Sequence, residues 1–169
     1  MESIQLFMPT VRIEECLAEI RERLENGWRG LGYKTVEIED AWKRFAVLPN
    51  AQFLNFTAAG QYLAGRILKE NMDWYDSGDI ISTLFIFFST NHAILYEKLH
   101  RVFAGIDEYL CYDPFSLAEC LSPRTRAVKY VGNGGNTGRL DQIVQPCRIY
   151  GLKLILDASY LDIDDRKWI

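Results

Sequence analysis

The chain has 169 residues, enough for one domain with a buried core, and with 49% hydrophobic and 25% charged residues it is a folding sequence rather than a disordered one. A net charge of −4 and an isoelectric point near 5.2 argue against nucleic acid or an anionic membrane surface as partner. The Leu84–Phe88 apolar run is far too short to span a bilayer and no secretory leader pattern opens the sequence, so a cytoplasmic address is expected.

The first 50 residues read as a helical segment. Thr10 is the expected N-cap of an amphipathic helix in which Ile13, Cys16, Leu17, Ile20 and Leu24 share a face until Gly27 ends it. After Gly30-Leu31-Gly32, a second helix is expected over residues 35–45, with Val36, Ile38, Trp42 and Phe45 as its apolar members and Pro49-Asn50 beyond it. Charges such as Glu22, Arg23, Glu39 and Lys43 read as a solvated face.

From residue 51 the pattern alternates between strand and helix. Residues 51–56 read as a strand and 57–68 as a helix carrying Ala58, Tyr62, Leu63 and Ile67. The junction is of interest because a helix N-terminus presents unpaired N–H groups to an anion, and Thr57 there is either an ordinary N-cap or a ligand to a phosphate. A strand over 79–83 leads to the aromatic cluster Phe85, Phe87 and Phe88, read as core, and to a helix over 89–98 bearing His92, read as a packed or surface histidine. A strand over 101–106 and a short helix over 114–121 follow.

Ala127 to Val131 is then a β-rich run containing Lys129, which in a buried strand needs a partner or loses its proton. Residues 132–138 form a glycine-rich turn, Leu140, Ile143, Val144 and Cys147 recur at helical spacing, and Leu152 to Leu156 is a strand stopping at Asp157. This βαβ unit predicts an α/β fold, three-layered α/β/α with a mainly parallel sheet. The glycine turn and Asp157 should share the rim at the carboxyl ends of the strands. A partial α/β domain over 51–160 and a polar tail over 161–169 complete the expected organisation.

Cys16, Cys111, Cys120 and Cys147 lie far apart with only His92 and His100 to join them, so reduced thiols and no metal site are expected. Two cofactor readings compete at the rim. In a dinucleotide-binding domain, Gly132-x-Gly134 would approach a pyrophosphate and Asp157 would bond a ribose, although the third glycine falls at 138 rather than 137. In the other reading Asp157 holds the pyridine nitrogen of pyridoxal phosphate (PLP) protonated.

Several stretches together resemble the DegT/StrS family of PLP-dependent aminotransferases, fold-type I enzymes acting mostly on keto sugars attached to nucleotides. They are Gly30-Leu31-Gly32 with Thr35 and Glu37, Asn55-Phe56-Thr57-Ala58-Ala59, Gly78-Asp79-Ile80-Ile81-Ser82-Thr83 and Phe87-Phe88-Ser89-Thr90-Asn91. Pro123-Arg124-Thr125-Arg126-Ala127-Val128 and Gly151-Leu152-Lys153-Leu154-Ile155-Leu156-Asp157-Ala158 complete the set in the family's order. The resemblance implies that Thr57 and Ala58 bind the cofactor phosphate, that Phe87 stacks on the pyridine, that Asp157 pairs with its nitrogen, and that Tyr160 stands near its phenolic oxygen. It covers the N-terminal part of the family's large domain only.

The sequence departs from that pattern at four places. Phe56 precedes the phosphate threonine where the family has a small residue, Ser159-Tyr160 replaces Ala followed by His or Gln, Leu84 replaces a proline, and Lys129 charges a core strand. The family's Schiff-base lysine has no counterpart; Lys167 lacks the surrounding motif. The expectation is a truncated, divergent aminotransferase relative, inactive alone, pairing with itself or with a full-length family member and meeting a nucleotide sugar only if activity is retained. A non-catalytic interaction module and the dinucleotide domain are the alternatives.

Overall fold

The computed structural model describes residues 10–27, 30, 32–74 and 77–160. Leu31 and the polar tail with Lys167 lie outside the described residues. The chain divides into two compact units, residues 1–53 and 54–169.

The first unit holds α1 (Ile13–Glu25) and α2 (Tyr33–Ala46). Arg12 rather than Thr10 precedes α1, without a side-chain cap, and the helix ends as Gly27 turns to φ +69°. Lys34 on α2 reaches Glu19 on α1 at 3.0 Å and Glu37 at 3.5 Å. The Glu39 carboxylate accepts from Gln52 Nε2 and Phe53 N–H, both at 2.8 Å. This overturns the strand expected at 51–56: the Phe53 N–H that a ladder would need is taken by a side chain, and these residues join no strand.

The second unit is built on a four-stranded parallel sheet in the order β2-β1-β3-β4. Its strands are β1 (Asp79–Ser82), β2 (His100–Phe103), β3 (Thr125–Val131) and β4 (Lys153–Asp157). α3 (Thr57–Asn71) and α4 (Phe88–Tyr96) cover one face; α5 (Pro114–Glu119) and α6 (Leu140–Ile149) cover the other. The three-layer α/β/α arrangement follows from the period-two alternation of β3. Val128 and Tyr130 pack with Leu117, Leu140, Ile143 and Cys147, whereas Ala127 packs with Trp74, Ile94 and Leu99. From β1 the chain winds outward to β2, then returns past β1 to β3 and on to β4. The order therefore reverses between β1 and β3, and ligands of such sheets gather beyond the carboxyl ends at that reversal.

One expectation changes on the α3/α4 face. Phe85, Phe87 and Phe88 are not core: they are 47%, 61% and 62% exposed, and the rings of Phe87 and Phe88 stand 4.7 Å apart at the surface. On α3, Tyr62, Leu63 and Ile67 face outward, and the one buried residue of that helix is Gln61. Lys129 is buried, and its partner is the Thr90 carbonyl, to which Nζ donates at 3.0 Å. His92 is an exposed residue edge-on to Phe88 and Tyr96. Among the described residues no helix is long and apolar enough to cross a membrane.

The glycine stretch is a defined turn. Asn133 and Asn136 exchange backbone hydrogen bonds of 3.2 and 2.9 Å across Gly134 and Gly135, whose φ values of +58° and +80° suit a two-residue hairpin. Gly138 has φ +53°, and a Cβ there would lie 2.5 Å from the Cβ of Cys111. These glycines serve the turn and a close packing contact.

Candidate cofactor site

A cavity of about 310 Å³ opens at the carboxyl ends of β3 and β4, bounded by the N-terminal ends of α3 and α4. Each wall has a different chemistry. On the α3 side, Ala59 and Gly60 N–H bond back to the Phe56 carbonyl at 3.1 and 3.4 Å, so the N–H groups of Thr57 and Ala58 precede the first closing bond of the helix. Phe56, not Thr57, is the N-cap and makes no side-chain cap. Thr57 is thus not spent on capping, and a 15-residue helix directs its positive end at the cavity.

Phe87 forms a second wall at the start of α4, its ring lining the cavity. Phe56 also lines it but is 59% exposed, in an extended conformation (φ −163°, ψ 158°) that any residue adopts. The rim carries Tyr160 and Asn133.

Asp157 closes the floor at the last position of β4, opposite Val131 of β3. It is 8% exposed and engaged through both oxygens. Oδ1 accepts from Ser159 N–H at 3.1 Å and Ser159 Oγ at 2.6 Å. Oδ2 accepts from Gln61 Nε2 and, more distantly, from Thr90 Oγ1 at 3.5 Å. A carboxylate offers about four lone-pair directions, and the 3.5 Å contact is weak enough to leave one for a ligand.

Thr57, Ala58, Phe87, Asp157 and Tyr160 thus all line one cavity. Gln61, Thr90 and Ser159 are the residues that sequence reading missed. Gln61 stands one turn after Thr57 on α3, a spacing that places both on one side of the helix; no apolar periodicity marks a lone polar residue facing inward. No described lysine lines the cavity, and no described group of three or more His, Cys, Asp or Glu residues is placed to hold a metal.

The model of the DegT/DnrJ/EryC1/StrS aminotransferase family matches residues 11–160. The chain belongs to this family. It is 33% identical over 155 residues to the spore coat polysaccharide biosynthesis protein SpsC of Bacillus subtilis (strain 168), covering 90% of this chain and 38% of that protein. It is 28% identical over 159 residues to a dTDP-4-dehydro-2,3,6-trideoxy-D-glucose 4-aminotransferase of Saccharopolyspora spinosa, covering 92% of this chain and 40% of that one. Its fold matches the PLP form of a putative sugar aminotransferase from Streptococcus pneumoniae, with a TM-score of 0.83 at 18% identity over 95% of this chain and 44% of the other. The chain therefore spans about 40% of the length of the curated relatives it matches.

The residues present fit the family's cofactor. A free helix N-terminus suits a phosphate, an aromatic ring suits the face of a pyridine, and a buried carboxylate already anchored by other donors suits a pyridinium N–H.

Proposed function

We propose that this chain is the cofactor-holding part of a PLP-dependent aminotransferase acting on a keto sugar carried by a nucleotide. The observation that carries the reading is the sharing of one cavity by the uncapped N-terminus of α3 and the buried carboxylate of Asp157. Thr57 and Ala58 N–H groups, with the Thr57 hydroxyl, would bind the phosphate. Phe87 would cover one face of the ring, and Tyr160 would donate from the rim to its phenolic oxygen. Asp157 would accept the pyridine N–H, held in place by Ser159 and Gln61. When bound, PLP supplies an electron sink for a substrate carbon, and the carboxylate favours the pyridine form that serves it.

No described lysine lines the cavity, so we infer that this segment binds cofactor without turning it over. Association with a second copy or with a full-length family member, in the cytoplasm, is part of the same reading. Phe87 and Phe88, exposed beside the cavity, form an apolar surface for such a partner.

An absorbance titration of the purified chain with PLP, followed by borohydride reduction and peptide mapping, tests the proposal. Saturable binding that Asp157→Ala abolishes, with no lysine trapped, is the expected result. One lysine trapped stoichiometrically would restore turnover as a possibility. The absence of binding by a demonstrably folded chain would defeat the reading.

A further inference from the structure

The sheet has two outer edges, β2 and β4, and among the described residues each pairs with one neighbouring strand only. An open edge carries unpaired N–H and C=O groups and accepts another strand unless charge, proline or a bulge blunts it. The interior of β4 has none of these. Lys153-Leu154-Ile155-Leu156-Asp157 contains no proline, runs beside β3 without a register shift, and keeps its two charges at its ends. Its first four residues are half-buried, whereas β3, one strand further in, is buried at six of its seven positions.

The order of residues in β4 selects the partner. An antiparallel copy related by a two-fold axis at Ile155 sets Lys153 opposite Asp157, Leu154 opposite Leu156 and Ile155 opposite itself. Each of these pairs joins residues of the same parity, so backbone groups that one β4 turns away from β3 meet their counterparts in the other copy. Alternation along the strand puts Lys153, Ile155 and Asp157 on the α3/α4 face, where Ile155 borders a small void with Gln61 and Lys129. Leu154 and Leu156 lie on the α5/α6 face, packed against its core. Opposite charges therefore face each other at both ends of the pairing, with aliphatic side chains between them. The other edge has no such match. Pairing β2 with itself about an axis at Arg101 opposes two guanidinium groups, and about an axis at Val102 it aligns no acid with a base.

We propose that β4 is a self-complementary edge through which two copies of this chain join their four-stranded sheets into one continuous sheet. The contact is isologous and closed, so it yields a dimer and not a filament. It brings Lys153 of each copy to the strand position opposite the other copy's Asp157, at the floor of the cavity. The proposal deepens the self-association in the reading above by giving it a surface, and whether PLP binds does not enter. Two five-residue strands bury less than the about 800 Å² per partner of a stable interface, so the dimer should be weak and concentration-dependent.

Sedimentation velocity of the full chain without cofactor, from dilute to concentrated protein, tests this. Wild type should pass from monomer to dimer. Lys153→Glu, a change at a half-buried strand end, opposes two carboxylates twice per dimer and should weaken association by about tenfold or more, while Lys153→Arg should preserve it. In an Asp157→Asn background the same Lys153→Glu change should weaken it by no more than about threefold. Circular dichroism confirms that each variant is folded. A monomer at every concentration, a dimer indifferent to Lys153→Glu, or equal losses in both backgrounds would each overturn the proposal, and an indifferent dimer would assign association to another surface, such as Phe87 and Phe88. Amide hydrogen exchange of wild type gives a reading free of substitutions. The β4 amides that do not bond to β3 should exchange quickly in dilute protein and slowly in concentrated protein, and exchange that ignores concentration overturns the proposal. Failure of the chain to bind PLP defeats the functional reading alone and leaves both of these measurements to decide the dimer.

Discussion

The two faces of the sheet are built from the same strands and solve different problems. The face under α5 and α6 is apolar and closed: Ile81, Val128, Ile143 and Leu117 are fully buried, and the rings of Tyr112 and Tyr130 stack at 5.0 Å. The face under α3 and α4 buries Gln61, Thr90, Asn91, Glu97, Lys129 and Asp157 in addition to its apolar residues. Oxygens of Gln61 and Glu97 are left without a hydrogen-bond partner there. Polar burial of that kind lowers stability unless every group is matched, so its concentration on one face marks where the molecule gives up stability for a site. The apolar face is what makes this tolerable.

The largest expected effect is on the closed face. Ile143→Ala should destabilise the second unit by about 3 kcal/mol, since it empties a fully buried position on α6. PLP affinity of the remaining folded protein should be unchanged, as measured by urea unfolding alongside cofactor titration. A variant that stays stable yet loses PLP would break the division of labour between the faces.

On the other face, pH separates charge from packing. An unfolded lysine titrates near 10.5 and Lys129 in the fold near 8. Below pH 8 both states carry the proton, and burying the charge opposes folding by up to about 3 kcal/mol. Between pH 8 and 10.5 the unfolded state binds more protons, so stability from this group rises with pH. Urea midpoints of wild type and Lys129→Met at pH 7.5 and pH 10 should therefore shift in favour of wild type at the higher pH. The difference between the proteins removes thiol and phenol titrations common to both. Parallel responses would show that Lys129 carries no buried charge to relieve.

How much of this was readable beforehand depended on whether the decisive interaction was local. The strands at 127–131 and 152–157 announce themselves through β-rich runs punctuated by glycine, and the structure places them as parallel neighbours. Residues 51–56 look equally strand-like, but the Glu39 carboxylate takes the Phe53 N–H, and no local pattern encodes that. On α3 the apolar residues Tyr62, Leu63 and Ile67 are exposed and the buried one is Gln61, so hydrophobic pattern does not mark the inward side of that helix. Asp157 was legible by ending a strand. Its supports Gln61 and Thr90 were not, because they come from helices far away in sequence and meet it only through the fold.

A gentler intervention at Gln61 sharpens the comparison. Gln61→Leu removes a donor to Asp157 and also removes an amide oxygen that has no partner, two changes of opposite sign on stability. The net change should stay within about 1 kcal/mol, while PLP affinity falls several-fold because the carboxylate loses its anchor on α3. A large destabilisation with intact affinity would place Gln61 among the packing residues.

The smallest expected effect lies at the cavity mouth, at Phe56. Its backbone is extended, so glycine there relieves no strain and adds unfolded-state entropy, for a loss of about 0.5–1 kcal/mol. Its ring, more than half exposed, lines the cavity beside the N–H groups of Thr57 and Ala58. Removing the ring widens the approach of a phosphate to the helix end without touching Asp157 or its supports. Phe56→Gly should therefore bind PLP a few-fold more tightly while being slightly less stable, measured by the same absorbance titration together with a thermal melt. Because the proposed phosphate contact is made by the N-terminus of α3 and not by Asp157, the gain should persist in Asp157→Asn. Unchanged or weaker binding would remove Thr57 from the phosphate site and leave the α3/α4 face with its acid but without its anion-binding helix.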